Sequence, residues 1–458
     1  MPNEGAVMRL FGTNGVRGIV NEDLTAEVAL KLGKAIGLFF KGSVATASDT
    51  RTSGGMIKSA TMSGLMSVGV DVTDLGVTPT PSMQYYVGTH EVAGGVMITA
   101  SHNPSQFNGI KCVDSTGREL TREDEEKIEQ FYFRERTELS KWDSVGVIRQ
   151  DGSATESYVN AVVKRVDADA IRNARLTVIL DCANGAACTS APLLLSKLGV
   201  RAITLNANPQ GDFPGHPSEP TEENLKDIMS LVASTKADLG IAHDGDADRT
   251  SFISNDGKFV SGDKSLSLLA KYILSENKGT VVTPVSSSSM VEDVVRSSGG
   301  AIKYTAVGSP AVAKEMFESK AVFGGEENGG LIFPEHQLCR DGAMAAAKML
   351  ELIVKEGKLS EQVKKLPEYH IEKRKIDCPN KIKDELLRSL RDENKDIEAD
   401  TTDGLKLMFA DGWVLVRPSG TEPKFRIYSE SKDEKVAKQR ANEMESNAEK
   451  IAERLMRR

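Results

Sequence analysis

The sequence predicts an α/β protein: three similar α/β domains with mixed, largely parallel sheets, the alternative being one large α/β domain without a true repeat, then a smaller α+β domain at the carboxyl end. Three observations carry that expectation. Short β-branched apolar runs recur in groups of three, each run ending in a polar loop. Most gaps between the runs have helical spacing, and beyond about residue 368 the pattern turns to antiparallel alternation. A chain of 458 residues has room for several cores, since single cores rarely grow past about 250 residues.

The first group of runs is SVATASDTR (43–51), GVDVTDLGVTPTPS (69–82) and GGVMITASHNP (94–104). The second is RLTVILDCANGAA (175–187), GVRAITLNANPQGD (199–212) and ADLGIAHDGDADR (237–249). The third is GTVVTPVSSSS (279–289), GGAIKYTAVGSP (299–310) and KAVFGGEENGG (320–330). In GMIKSATMSGLMSVG, Met56, Ile57, Ala60 and Met66 fall near helical spacing. In EENLKDIMSLVAS, Leu225, Ile228, Met229 and Val232 do the same behind two glutamates suited to a helix start. Strands alternating with helices give βαβ units, whose ligands collect at the carboxyl ends of strands. EYHIEKRKIDCPNK reads as a charged connector or edge strand, and DGLKLMF, GWVLVR and KFRIYSES as antiparallel strands. The tail, 432–458, puts Ala437, Ala441, Met444, Ala448, Ile451 and Leu455 on one face, as expected of a single helix lying on its own small sheet.

Composition narrows the function classes. The chain is 39% hydrophobic and 27% charged, and no apolar stretch is long enough to span a membrane. The opening MPNEGAVMRLFG has no basic segment followed by an apolar one, so no secretory signal is expected. A net charge of −8 argues against a general nucleic-acid binder but leaves room for a small anion held by local arginines. Five scattered cysteines without a CxxC pair exclude a zinc knuckle or disulfide framework; five buried thiols in a reducing cytoplasm are expected.

The loops carry the chemistry. In GGVMITASHNPSQFNGIK (94–111), Ser101 stands at the mouth of an apolar run. Only six histidines exist, the GxSxG elbow is missing, and His102 is the very next residue and is expected to point elsewhere. Ser101 is thus unsuited to acyl transfer, and reads either as a turn residue or as a phosphoryl acceptor, which needs a metal and positive charge more than a strong base. DGDADR places Asp244, Asp246 and Asp248 at alternate positions; an EF-hand fails because Arg249 and Asn255 occupy its sixth and twelfth positions. Three carboxylates in a tight loop suit Mg²⁺, the alternative being a solvated acidic turn. In RPSGTEPKFR, Arg417 and Arg426 bracket Ser419, Gly420 and Thr421, a phosphate clamp or an ordinary hairpin turn. GGEENGG offers Glu326 and Asn328 for sugar hydroxyls, although glycine-rich acidic turns are frequent. FGTNGVRG supplies one cation, Arg17, and Lys111 could neutralise charge beside Ser101, against a default of solvent exposure.

Together, TASHNP, DGDADR, GEENGG and RPSGTEP resemble the four loops of the α-D-phosphohexomutase family, in order and approximate spacing over nearly the whole chain. The resemblance implies four domains around a central cleft: 1–150 with the phosphoserine loop, 151–253 with the metal loop, 254–368 with the sugar loop, and 369–458 as the phosphate-binding domain. It implies that Ser101 carries a transferable phosphoryl group and joins Asp244, Asp246 and Asp248 around Mg²⁺. Glu326 and Asn328 then read sugar hydroxyls, and Arg417, Ser419, Gly420, Thr421 and Arg426 hold the idle phosphate. Arg17, Lys111 and Arg249 stabilise charge, and His102 or Lys111 handles a proton. The reaction implied moves a phosphoryl group between the 6- and 1-positions of a hexose through a hexose 1,6-bisphosphate. FGTNGVRG and DCANGAA resemble the phosphoglucosamine mutase branch, which usually has Asp where this chain has Asn14. GEENGG departs from the bacterial loop at Asn328 and Gly330 and looks like archaeal members, some of which take glucose and mannose phosphates. Glucosamine phosphate is favoured over these, for a monomer or homodimer without nucleic-acid or membrane partners. The rival classes are a serine-dependent metal phosphatase, which would release inorganic phosphate, and a non-catalytic sugar-phosphate-binding protein, which would tolerate loss of Ser101.

Overall fold

A computed structural model of the chain describes residues 10–12, 14–134, 136–419 and 423–457. They fold as two compact bodies: the chain up to Ser261 with Asn328–Lys364, and Gly262–Glu327 with the chain from Lys365 onward.

The first body holds two sheets. In spatial order the first runs Val16–Ile19, Phe107–Asp114, Gly94–Ile98, Val44–Ser48, Val72–Val77 and Ile148–Gln150. The last four strands are parallel and the first two antiparallel additions, so the sheet is mixed as expected. The second runs Phe259–Val260, Thr250–Ser254, Leu239–His243, Thr177–Asp181 and Arg201–Leu205. Its last three strands are parallel and its first two antiparallel. Five-residue strands such as VATAS and LGIAH are buried along their whole length, as parallel strands covered on both faces must be. Helix Ala26–Phe40 begins at Thr25, whose hydroxyl accepts from Val28 N, and packs Leu32 and Ile36 into the core under the first sheet. The helix expected from EENLKDIMSLVAS starts only at Lys226; its two glutamates lie in the preceding turn, and Leu225 is buried outside the helix. A hairpin, Leu331–Phe333 with Gln337–Arg340, and helix Gly342–Glu356 complete this body.

In the second body, Ala301–Thr305, Thr280–Pro284 and Phe323–Gly325 are adjacent parallel strands. A five-stranded antiparallel sheet follows, ordered His370–Asp377, Lys424–Ser431, Gly412–Pro418, Leu405–Phe409 and Ala399–Asp400. The charged segment 368–381 therefore contributes an edge strand. Helix Glu434–Met456 buries Ala437, Ala441, Met444, Ala448, Ile451 and Leu455, the six positions the spacing picked out, and packs on this sheet. Among the described residues no helix is long and apolar enough to cross a membrane. None of the five cysteines is paired; four are buried, but Cys188, at the start of helix Ala187–Lys197, is only half-buried.

Candidate active site

The apolar run Gly94–Ile98 delivers Ser101 three residues beyond its carboxyl end. Ser101 is fully buried, with its backbone in the left-handed region at φ 51°. A side chain there costs on the order of 1–3 kcal/mol, so the surroundings must hold it. They do so through Arg51, at the end of strand Val44–Ser48. Its Nη2 donates to the carbonyls of Ser101 (2.8 Å) and Asn103 (2.6 Å), and its Nη1 to those of Pro104 (2.7 Å) and Phe107 (2.9 Å). Its Nε donates to Asp49 at 3.1 Å. Asp49 also accepts from the Thr99 hydroxyl (2.6 Å), which in turn accepts from Ser101 N (2.8 Å).

Strand Leu239–His243 brings in the acidic loop. Asp244, Asp246 and Asp248 are all buried, and one oxygen from each lies within 4.8 Å of the others. Ser101 Oγ donates to Asp244 Oδ2 at 2.9 Å, which joins the two loops directly. The close approach requires Gly245: a Cβ there would sit 2.5 Å from the Ser101 carbonyl oxygen. Burial, then the charges of Asp246 and Asp248, push the Asp244 carboxyl well above its usual range. Burial acts the same way on Asp246, but Lys111 and the Thr80 hydroxyl overcome it and hold that carboxyl below its usual range.

Lys111 is buried among the aspartates, not exposed as a lysine is by default. Only 2% exposed, it reaches Asp246 at 2.8 Å and Asp248 at 3.6 Å. Arg17 donates to Asn103 Oδ1 (2.9 Å) in the serine loop, and the Arg249 backbone N–H donates to Asp244 (3.1 Å). His102 corrects the expectation that it points elsewhere. Its Nδ1 lies 3.4 Å from Ser101 Oγ, because the left-handed turn at Ser101 folds the next side chain back toward the hydroxyl. Burial, then Arg249, Arg17 and Arg340, lower its pKa to about 2, so the ring is neutral.

Three contributors escaped the sequence analysis. Arg51 and Thr80 lie in the strand-end loops SVATASDTR and GVDVTDLGVTPTPS, which marked the right place without singling them out. Arg340 pairs with Asp248 at 2.6 Å from the end of a short hairpin strand, and no local pattern distinguishes it.

The residues of the cluster fit a divalent cation. Asp246 Oδ1 and Asp248 Oδ1 are buried without a hydrogen-bond partner among the described residues, and such charge is costly unless an ion binds it. The donors are all carboxylate and hydroxyl oxygens, the set preferred by hard cations.

A second set of sequence-picked residues lies in the second body. Arg417 and Arg426 are directly opposite each other on neighbouring strands, hence on one face of the sheet. Arg417 pairs with Asp403 at 3.0 Å. Ser419 is buried, with its carbonyl accepting from Lys383 Nζ at 2.6 Å. Glu326 Oε1 accepts from Gly308 N at 3.1 Å. Asn328 belongs to the first body, where its Oδ1 accepts from Gly330 N at 3.0 Å. Gly420 and Thr421 lie outside the described residues.

Parallel α/β sheets that set a serine hydroxyl against three buried carboxylates, ringed by lysine and arginines, define a protein built for metal-assisted phosphoryl transfer. The comparisons with known proteins agree. The chain matches the descriptions "Phosphoglucomutase/phosphomannomutase, alpha/beta/alpha domain" I over residues 8–139, II over 156–257 and III over 261–369, and the family's C-terminal domain over 375–446. It is 44% identical to a "Phosphoglucomutase/phosphomannomutase" of Thermococcus kodakarensis, covering 94% of this chain and 96% of the relative. It is 42% identical to a "Phosphoglucosamine/phosphogalactosamine mutase" of Sulfurisphaera tokodaii, covering 96% and 99%. The crystal structure of a phosphoglucomutase/phosphomannomutase family protein from Burkholderia thailandensis superposes with a TM-score of 0.86 at 27% identity, covering 97% of each chain. The chain belongs to the phosphoglucomutase/phosphomannomutase family, the α-D-phosphohexomutases, and is an intramolecular phosphotransferase.

Proposed function

We propose that the protein interconverts the 6- and 1-phosphates of a hexose through a phosphorylated Ser101, with glucosamine phosphate as the preferred substrate. The observation that carries this is the 2.9 Å bond from Ser101 Oγ to Asp244 within the buried carboxylate cluster. Asp244, Asp246, Asp248 and the Ser101 oxygen would hold a divalent cation, Mg²⁺ by their oxygen donors, which would supply positive charge to offset that on the moving group.

In the first half-reaction the bond from phosphorus to Ser101 Oγ breaks as a bond to a free sugar hydroxyl oxygen forms. The proton of that hydroxyl passes to neutral His102 and on to the departing Ser101 Oγ, 3.4 Å from the ring, so the serine leaves as a hydroxyl; Lys111 is committed to Asp246. Burial, and after it the charges of Arg249, Arg17 and Arg340, keep the ring neutral and so able to take a proton only in passing. In the second half-reaction Ser101 Oγ takes the other phosphoryl group of the hexose 1,6-bisphosphate as the bond from that phosphorus to the sugar oxygen breaks, and the serine hydroxyl proton passes through His102 to the sugar oxygen left behind. Arg17 and Arg249 stabilise charge on the transferring group. Arg417, Arg426, Ser419, Gly420 and Thr421 hold the idle phosphate, and Glu326 and Asn328 read the sugar hydroxyls. The domain division at 150, 253 and 368 and a cytoplasmic setting belong to this proposal. The choice of hexose rests on relatives, among them a "Probable phosphoglucosamine mutase" of Methanopyrus kandleri at 43% identity.

The test sets glucosamine, glucose and mannose 6-phosphates side by side with the wild-type chain and Ser101→Ala. Intact-mass measurement should show one added phosphate on the wild type and none on the variant, whose turnover should vanish while binding persists. Near-normal turnover by Ser101→Ala would overturn the proposal; inorganic phosphate release without isomer formation would identify a phosphatase instead.

A further inference from the structure

We infer that Asp403 is a positioning residue that ties the phosphate-gripping Arg417 to the sugar-reading Glu326 through two consecutive backbone amides. This rests on the proposed roles of Arg417 and Glu326. Asp403 Oδ2 lies 3.0 Å from Arg417 Nη2 and also accepts from Val307 N at 3.0 Å. The next amide, Gly308 N, donates to Glu326 Oε1 at 3.1 Å. Arg417, Asp403, the Val307–Gly308 peptide and Glu326 thus form one continuous polar chain. All of it lies in the second body.

The sequence builds this chain at two unusual glycines. Gly404, next to Asp403, has φ 93°, and a Cβ on it would lie 2.3 Å from the Val416 carbonyl oxygen. That approach presses the Asp403 turn onto the strand carrying Arg417. Gly308, at φ 128°, precedes helix Ser309–Ser319, so the amides of Val307 and Gly308 stand at a helix amino terminus. Both carboxylates therefore gain from the positive end of that helix as well as from their hydrogen bonds.

Asp403 leaves the guanidinium a free hand. Arg417 Nε is buried and has no hydrogen-bond partner among the described residues, so a donor remains for an incoming phosphate oxygen while Nη2 is fixed. Arg426, directly opposite, adds a second positive charge on the same face, and the Asp403 carboxylate offsets their repulsion at Arg417. A hexose phosphate that engages Arg417 at one end and Glu326 at the other then meets groups already in register. The two contacts are coupled, not independent.

The experiment is a double-mutant cycle on Asp403→Ala and Glu326→Gln, reading the Kd of glucosamine 6-phosphate by calorimetry alongside KM and kcat. Asp403→Ala should weaken binding about tenfold with a smaller effect on kcat, and that effect should shrink about threefold or more in the Glu326→Gln background. Asp403→Asn keeps an acceptor for Val307 N and should recover part of the loss; it also carries the test if the alanine variant fails to fold. Additive Kd effects, or wild-type affinity in either Asp403 variant, would overturn the inference. Failure of the mutase proposal is a distinct outcome: the wild-type chain would bind the sugar phosphate without isomerising it.

Discussion

Replacing Gly245 by alanine tests how tightly the metal loop and the serine loop are held together. The added Cβ would lie 2.5 Å from the Ser101 carbonyl oxygen, and real Cβ atoms essentially never come within 3.0 Å of a neighbour. At least 0.5 Å of separation must open, the difference of those two distances. The carbonyl cannot simply swing aside, because Arg51 Nη2 holds it at 2.8 Å while the same guanidinium grips three further carbonyls. The neighbours on the other side, Ser218 and Phe213, stand at ordinary contact distance, 3.5 and 3.6 Å. The shift therefore falls on the bond between Ser101 Oγ and Asp244. A 1 Å misplacement costs about 10²-fold in rate, so half that displacement costs about tenfold, equivalent to about 1.4 kcal/mol on the barrier. Gly245→Ala should lower kcat by about that factor, with little change in KM. Phosphorylation of Ser101 by a hexose 1,6-bisphosphate, followed by intact mass, should slow in parallel. Gly152→Ala is the control, since nothing lies within 4 Å of the Cβ it would add. Turnover by Gly245→Ala within twofold of the wild type would refute the claimed rigidity of the two loops.

Arg51→Lys keeps the charge but loses the fork that binds four carbonyls at once, so kcat should fall by about tenfold or more while KM changes little; equal changes in both would assign Arg51 to substrate binding instead. In the second body, burial and then the Glu327 charge push the Asp263 carboxyl from 3.8 up to about 7. The folded state thus favours the protonated acid, and the stability this contributes is complete below pH 3.8 and lost as pH rises through about 7. Asp263→Asn should flatten that part of the melting-temperature profile; a variant with the same pH dependence as the wild type between about pH 4 and 8 would refute the assignment.

The order of the structural elements was legible in the sequence. Each of the nine apolar runs in the three groups contains a strand, and the alanine-rich face of the tail is the buried face of helix Glu434–Met456. These features follow from local periodicity, which one stretch of chain expresses by itself. The chemistry-bearing loops were legible for a related reason: Ser101 and the three aspartates stand at strand ends, and their residue types stay conspicuous in any context. Their partners were harder to see. Lys111 is an ordinary lysine until the loop after strand Leu239–His243 brings Asp246 to within 2.8 Å of it, and His102 lies beside the hydroxyl where Ser101 adopts φ 51°.

What the sequence determined by itself was the alternation of strands and helices, the antiparallel carboxyl end and the identity of the reactive loops, since each is written in neighbouring residues. Only the tertiary structure decided which charges are buried, that Arg51 pins the serine turn, that Arg340 reaches Asp248, and that Asp403 bridges Arg417 to the Val307 amide. The bonds from Arg51 to Ser101, from Arg340 to Asp248 and from Val307 to Asp403 join residues 50 to 96 positions apart, where no local pattern fixes distance; burial strengthens the first two by excluding the water that would screen them.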